Sequence, residues 1–307
     1  MCGLMPDAQT SINLMKPKLS IIIGSQNASS SISNCLRALE NQRNGDGVEI
    51  IVVDNSTDGT PEIVESEFPN IKLVRSGQDK LMPELWEAGI QQSTGECVAI
   101  TTSHFVPASN WIKEILKAHE DRYPAIGGAI ENDKASGLVT WAIYFCRYSP
   151  YMLPFSEKTV EDFAGDNASY KRSALDRCRD ARRDGFWESF VHAEMRQQGL
   201  ELLITPSIVV YHQKSFTFVG FMKQRFWHGR QFGSERAQKI PGLKRTVYVL
   251  LSPLILPLYL YRITRRVIGK KKHIGPYLLS LPVLILFLLS WSTGETSGYV
   301  WPSAKKE

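Results

Sequence analysis

From Leu19 onward, short runs of apolar residues alternate with longer stretches in which apolar residues recur at helical spacing. Residues 19–23 (LSIII) and 48–54 (VEIIVVD) are brief, rich in β-branched side chains and bounded by turn residues, so they read as buried strands. Between them, 29–42 sets Ile32, Leu36 and Leu39 on one helical face, with serines placed to cap its start. The alternation continues with helices over 61–68, 82–93 and 110–122 and strands over 71–76, 96–101 and 125–130. That order predicts an α/β fold in which a mostly parallel sheet carries helices on both faces. Ligands of such sheets bind beyond the carboxyl ends of the strands, which singles out three corners: 24–27 (GSQN), 54–60 (DNSTDGT) and 101–104 (TTSH). At the second corner Asp54 falls at a strand tip, Asp58 and Gly59 shape the turn, and Thr60 is placed to start the next helix.

Toward the C-terminus the pattern changes. Residues 246–261 and 274–291 are almost free of charge and are separated by the basic stretch 262–273 (RITRRVIGKKKH). Each run approaches the roughly 20 residues that cross a bilayer. Pro253, Pro257, Pro276 and Pro282 interrupt them, which admits re-entrant or interfacial helices as well as spanning ones; a buried helix pair is the alternative. The predicted organisation is a tail over 1–17, an α/β domain over 18–235 and a basic, membrane-associated helical region over 236–307.

With 307 residues and 43% apolar content, the chain can bury one large core plus an appendage, which excludes a disordered or fibrous protein. The net charge of +5 is unevenly distributed: from Tyr211 onward 16 Lys and Arg stand against 3 Asp and Glu, whereas the first 210 residues carry 20 against 28. Basic flanks beside apolar runs suit anionic headgroups or phosphates, and the acidic body argues against nucleic-acid binding. The five cysteines (Cys2, Cys35, Cys97, Cys146, Cys178) form no C-x-x-C pair, which points to a reducing compartment without a zinc site. The first 18 residues lack a basic region followed by an apolar core, so no secretory signal is expected, and the Asn-x-Ser/Thr sites at Asn27, Asn55 and Asn167 would go unused in the cytosol.

Candidate chemistry follows. Glu188 and His192 are spaced to share a helix face and tune one another, and Arg225, His228 and Arg230 follow a helical pattern suited to an anion. The segment 132–163 offers Trp141, Tyr144, Phe145, Tyr148 and Tyr151 either as faces for sugar rings or as core aromatics.

EIIVVDNSTDGT (49–60), MPELWEAGIQQSTGECVAI (82–100), the Pro107/Trp111 entry to a helix, GDNASYKRSAL (165–175) and WESFVHAEMRQQGLELLITPSIVVYH (187–212) together resemble the family 2 glycosyltransferases of the GT-A nucleotide-sugar fold, over roughly 18–235. The resemblance implies a hexosyltransferase-like enzyme that moves a sugar, with inversion, from a nucleotide-sugar donor, by family frequency a UDP-sugar, to a glycan or lipid-linked acceptor. It implies that Asp54 binds the nucleotide base, that Asn27 lines the same pocket, and that Glu188, eleven residues before Gly199 and preceded by Trp187, is the catalytic base. Thr102, His104 and Asn167 join the donor-binding set, and His104, His212, Arg225, His228 and Arg230 are placed to offset the diphosphate charge. An inverting transfer needs a base for the acceptor hydroxyl, and the departing diphosphate needs positive charge.

At the fourth strand the family carries Asp-x-Asp, or a variant with Glu-Asp-His, whose acids bind a divalent cation, Mn²⁺ or Mg²⁺. Here the aligned residues are Thr102, Ser103 and His104: the histidine is kept, both acids are gone, and His104 and His212 are the remaining candidate ligands. These ions prefer carboxylate oxygens to neutral hydroxyls. Three readings stand open: sugar transfer supported by basic residues, nucleotide or glycan binding without transfer, and a membrane-anchored structural protein. Because nucleotide sugars are made in the cytosol, the expected seat is the cytoplasmic face of a membrane, with its lipids as partners and a place in polysaccharide or envelope synthesis.

Overall fold

No residue of β1 (Leu19–Ser25) reaches solvent, because helices cover both faces of the sheet it centres. The computed structural model describes residues 16–43, 47–213 and 216–302; nearly all of the 1–17 tail, Cys2, Lys305 and Lys306 lie outside them. The remaining strands are β2 (Val48–Asp54), β3 (Lys72–Arg75), β4 (Cys97–Thr102), β5 (Phe105–Pro107), β6 (Ala125–Asn132), β7 (Lys158–Val160), β8 (Asn167–Lys171) and β9 (Leu202–His212). They form one sheet in the order β3-β2-β1-β4-β8-β6-β9-β5, with β7 on β9. The pairs β3–β2, β2–β1, β1–β4 and β6–β9 are parallel. Strand β8 is antiparallel to both its neighbours, so its first residue, Asn167, lies opposite Thr101 at the edge where β4 ends.

Helices α1 (Ile32–Glu40), α2 (Thr60–Glu67), α4 (Trp111–Ala118) and α5 (Leu138–Tyr148) bury Leu36, Val64, Ile115 and Phe145 against one face. Helices α3 (Met82–Gln91), α6 (Arg172–Arg177) and α7 (Glu188–Gln197) bury Trp86, Leu175 and Val191 against the other. Gly24 near the tip of β1 is a close-approach position: a Cβ there would run into Met82 and Trp86 of α3.

The C-terminal part is helical: α8 (Phe218–Lys239), α9 (Gly242–Leu251), a 3-10 turn at Ser252–Leu254, α10 (Ile255–Lys270) and α11 (Ile274–Val300). Pro253 sits in that 3-10 turn and interrupts the first apolar run. Helix α8 passes position 235 without a break. Helix α11 packs on α8 and α5 and contributes Leu284, Phe287 and Leu288 to the core of the first face. The α8–α11 contact is made backbone to backbone. Gly229 and Gly233 lie against Trp291 and Glu295, while Gly294 and Gly298 lie against Phe226 and Arg230, so a Cβ at any of the four would strike main-chain atoms. This reciprocal four-residue spacing of small residues is the pattern that lets helices approach closely in apolar surroundings.

Helices α10 and α11 form a hairpin whose turn takes Lys271 and His273 into left-handed conformations. Its tip is fastened to the α/β body. Lys270 donates to the carbonyls of Pro150 and Met152, and Lys272 and His273 bond Glu131 at 2.8 and 2.9 Å. Burial works against the Glu131 carboxylate, but those two bonds and the Leu153 N–H hold its pKa below the usual range.

Candidate active site

The tips of β1 and β2 are joined by a hydrogen-bonded loop. Asp54, buried at the end of β2, accepts from the backbone N–H and the hydroxyl of Ser56 at 2.9 and 2.7 Å. Asn27, in the left-handed region at φ 49°, donates its N–H to Ser56 Oγ and accepts from the Thr57 N–H. The structure thus brings the two expected base-binding residues together, through Ser56, on one lip of the sheet.

Beyond the tip of β4 opens a cavity of about 440 Å³. Its floor includes Thr102, His104 and Trp86, whose indole is fixed by donating to the Thr101 carbonyl at 2.8 Å. Asp166, Trp187 and Glu188 line the cavity together with Arg147, Gln224, Arg225 and His228. Leu81 and Phe190 stand exposed at the mouth. Asp166 reaches this site because β8 runs antiparallel and because the Thr101 hydroxyl donates to its carbonyl at 2.8 Å. Its carboxylate accepts from Tyr148 at 3.3 Å and from one nitrogen of Arg147 at 3.5 Å. Arg147, in the last turn of α5, also stacks its guanidinium over the Tyr148 ring.

Glu188 is the first residue of α7. Burial pushes its pKa up to about 7, and the charges of Asp166 and Asp162 add to this, against its own backbone N–H and Arg147. His192 does not tune it: one ring nitrogen meets Asp162 at 2.5 Å and the other meets the Tyr170 hydroxyl at 2.9 Å. The partner of His192 comes from the loop after β7, which no helical spacing reveals.

The expected cationic histidines are neutral at pH 7. His104 lines the cavity, but burial and the neighbouring Arg147 lower its pKa to about 4. His228 is likewise lowered to about 4 by burial and by Arg225, and its ring nitrogen stands 3.0 Å from that guanidinium. Burial holds His212 well below its ordinary value, and it packs behind the cavity between Phe105 and Tyr148 with a bond to Asn132. Asn167 also lies outside the cavity wall. Its amide joins Trp111, Ala129 and Ile208, so it holds strands and α4 together. Arg230 stacks on Trp227 rather than facing the cavity. Trp141, Tyr144, Phe145 and Tyr148 are buried in the core and present no face to a sugar. Sequence reasoning missed Arg147, Asp166, Trp86 and Gln224. The available signal was the acid of GDN, one residue before Asn167.

Three polar atoms of cavity-lining residues are buried without a hydrogen-bond partner: Thr102 Oγ1, Arg225 Nε and Gln224 Oε1. Among the described residues no group of three or more His, Cys, Asp or Glu side chains is arranged to hold a metal ion.

The model of the family described as glycosyl transferase family 2 matches residues 20–179, just over half of the chain. No curated protein matches. Among solved structures, the mannosyltransferase PcManGT from Pyrobaculum calidifontis, in complex with GDP-Man and Mn²⁺, is similar with a TM-score of 0.54 and 17% identity over 91% of this chain and 87% of that one. S. aureus TarS 1–349, in complex with UDP-GlcNAc, gives a TM-score of 0.49 and 15% identity over 91% of each chain. The sheet order, the strand-tip cavity and the likeness to PcManGT are those of the GT-A fold, and with the family match extending from β1 through α6 the chain belongs to glycosyl transferase family 2.

Proposed function

We propose that this chain is an inverting glycosyltransferase that takes a sugar from a nucleotide-sugar donor and delivers it to a hydroxyl of a glycan or lipid-linked acceptor at a membrane surface. The observation that carries the reading is Glu188: a carboxylate whose pKa is raised to about 7, in a cavity that two guanidinium groups, those of Arg147 and Arg225, also line. General-base catalysis works best with a pKa near the operating pH. In this reading the nucleoside lies along the strand tips, with Asp54 and Asn27 at the base end and Thr102 toward the diphosphate. Glu188 takes the acceptor proton as the hydroxyl oxygen bonds the anomeric carbon. The bond to the diphosphate breaks with its electron pair on the departing oxygen, where Arg147 and Arg225 offset the charge.

A divalent cation is the group the fold family brings to this corner, and PcManGT was solved with Mn²⁺. The residues here do not fit one. At the tip of β4 they offer two hydroxyls and a neutral imidazole beside Arg147, with no carboxylate at either position the acids occupy.

The membrane seat is supported by the C-terminal helices. Helices α9 to α11 expose Leu243, Leu250, Leu254, Leu278 and Leu279, and α10 adds exposed Arg262, Arg265 and Arg266. The hairpin tip is bonded to the α/β body, which keeps the end of the basic stretch on the body's side, as an interfacial helix pair requires. Cytosolic donors make that side the cytoplasmic one.

The test is to incubate the full chain with UDP- and GDP-sugars and a membrane lipid extract. Glu188-dependent appearance of glycosylated product, with release of the nucleoside diphosphate, supports transfer. Nucleotide binding without any such release would favour the binding-only reading, which the loss of both acids at Thr102 and Ser103 otherwise motivates.

A further inference from the structure

We propose that Arg147 and Arg225, assisted by the Thr102 hydroxyl, grip the donor's diphosphate directly and replace the divalent cation at this site, an assignment that rests on the glycosyltransferase reading above. The corner has inverted its chemistry. A cation site presents acceptor oxygens, preferably ionised, whereas this one presents hydrogen-bond donors and fixed positive charge. Thr102 is almost completely buried at the tip of β4, lines the cavity, and leaves Oγ1 without a partner; Arg225 leaves Nε without one. Buried polar atoms in this condition are rare and call for an explanation, and a phosphate oxygen accepts from both.

The two guanidiniums are held in place without being used up. Arg147 is fixed by the Tyr148 ring beneath it and by a single nitrogen on Asp166. Arg225 is fixed between the rings of Phe221 and Trp291 and by His228, at 3.0 Å from one terminal nitrogen. A guanidinium keeps its charge when buried and offers a planar fork that fits two phosphate oxygens at once, so it can stand in the partly enclosed cavity where a histidine has lost its proton. The nearby carboxylates do not cancel this charge in the reacting complex. Asp166 partners Arg147, and Glu188 accepts the acceptor proton in the same step in which the diphosphate gains its negative charge. Arg147 also disfavours a metal at the tip of β4, since its positive charge is felt by His104, the imidazole left at that corner.

The assignment is tested by titrating the full chain with UDP, GDP, UMP and GMP, in EDTA and in Mn²⁺. The expected result is a preference for the diphosphate of the nucleotide that binds, with the same affinity in EDTA as in Mn²⁺. Arg147→Met should weaken the diphosphate by about 10- to 100-fold, the effect of one charged hydrogen-bonding group, while the monophosphate changes far less. Arg225→Met should act in the same direction, Arg147→Lys should restore part of the loss, and Thr102→Val should reduce diphosphate affinity severalfold. The ratio of monophosphate to diphosphate affinity separates this from misfolding, which would weaken both alike. Diphosphate binding that requires Mn²⁺ in the unaltered chain, or an unchanged ratio in Arg147→Met, overturns the assignment and leaves the enzyme reading standing. Failure of all four nucleotides to bind in either condition overturns both.

Discussion

At the tip of β2, Asp54 takes two hydrogen bonds from Ser56, and Asp58 takes bonds from Ser29 and Thr60; at the tip of β4, two strands away on the same edge, Thr102 Oγ1 and Ser103 Oγ are buried with no partner. The carboxylates of the first corner are closed into its loop, so they shape it whether or not a ligand is present, although Asn55 Oδ1 beside them is buried without a partner. The second is left incomplete, at a cost of about 1–3 kcal/mol for each buried group that makes no hydrogen bond. Acids at a strand tip can thus serve the fold first, and of the two corners it is the one at β4 whose buried, unpartnered hydroxyl, that of Thr102, lines the cavity.

The largest effect expected lies at Glu188, which lines the same cavity as that corner. Glu188→Gln should lower kcat by about 10² to 10⁴ while leaving diphosphate affinity nearly intact, because size and hydrogen-bonding capacity are kept and only the base is lost. Steady-state rates within about threefold of the unaltered enzyme would remove Glu188 from the role.

The corner itself can be turned back. Thr102→Glu with Ser103→Asp should cost about tenfold or more in diphosphate affinity in EDTA, since two carboxylates then face the phosphates, and Mn²⁺ should recover part of it. Titration in the two buffers reads the outcome, and no Mn²⁺ response would mean that no metal position survives.

At the closed corner Asp54→Ala should lower stability by about 1–2 kcal/mol by freeing the Ser56 donors, and it should weaken UDP binding more than UMP-to-UDP discrimination. Thermal unfolding and calorimetry measure the two. An unchanged dissociation constant would leave Asp54 as a turn residue only.

The smallest effect is in pH. A base must be ionised, and Glu188 is ionised only above its pKa, so kcat/KM should fall as pH drops through about 7 rather than through the ordinary carboxylate range. Asp166→Asn removes a negative neighbour that raises this pKa, so the fall should move to lower pH; Arg147→Met removes a positive one and should move it upward. A profile unmoved by both substitutions would separate Glu188 from the rate-determining proton transfer.

The strands of the first half were legible because buried β-branched runs of six or seven residues between turn signals admit few other structures. Strands β5 and β7, three residues each, carry no period and were not. The place of Glu188 in the cavity was legible through its family spacing. Arg147 was not, because a basic residue in the last turn of a helix is ordinary, and only the tertiary fold turns it toward Asp166. The misplacement of Asn167 and His212 has one cause: both stand at strand ends on the expected edge, but each side chain is taken up by a neighbouring strand before it can face the cavity. The glycines of α8 and α11 are separated by about sixty residues, and their pairing becomes visible only when the helices meet.

That pairing governs how the protein can be handled. A chain shortened before Ile274 to escape detergent would uncover Phe145, Phe218 and Phe221, which now pack edge-on or tilted against Tyr277 and Phe287, and would trade an exposed apolar surface for an exposed core. A soluble form is better sought by changing the outward leucines, Leu243, Leu250 and Leu279, to charged residues while leaving α11 in place.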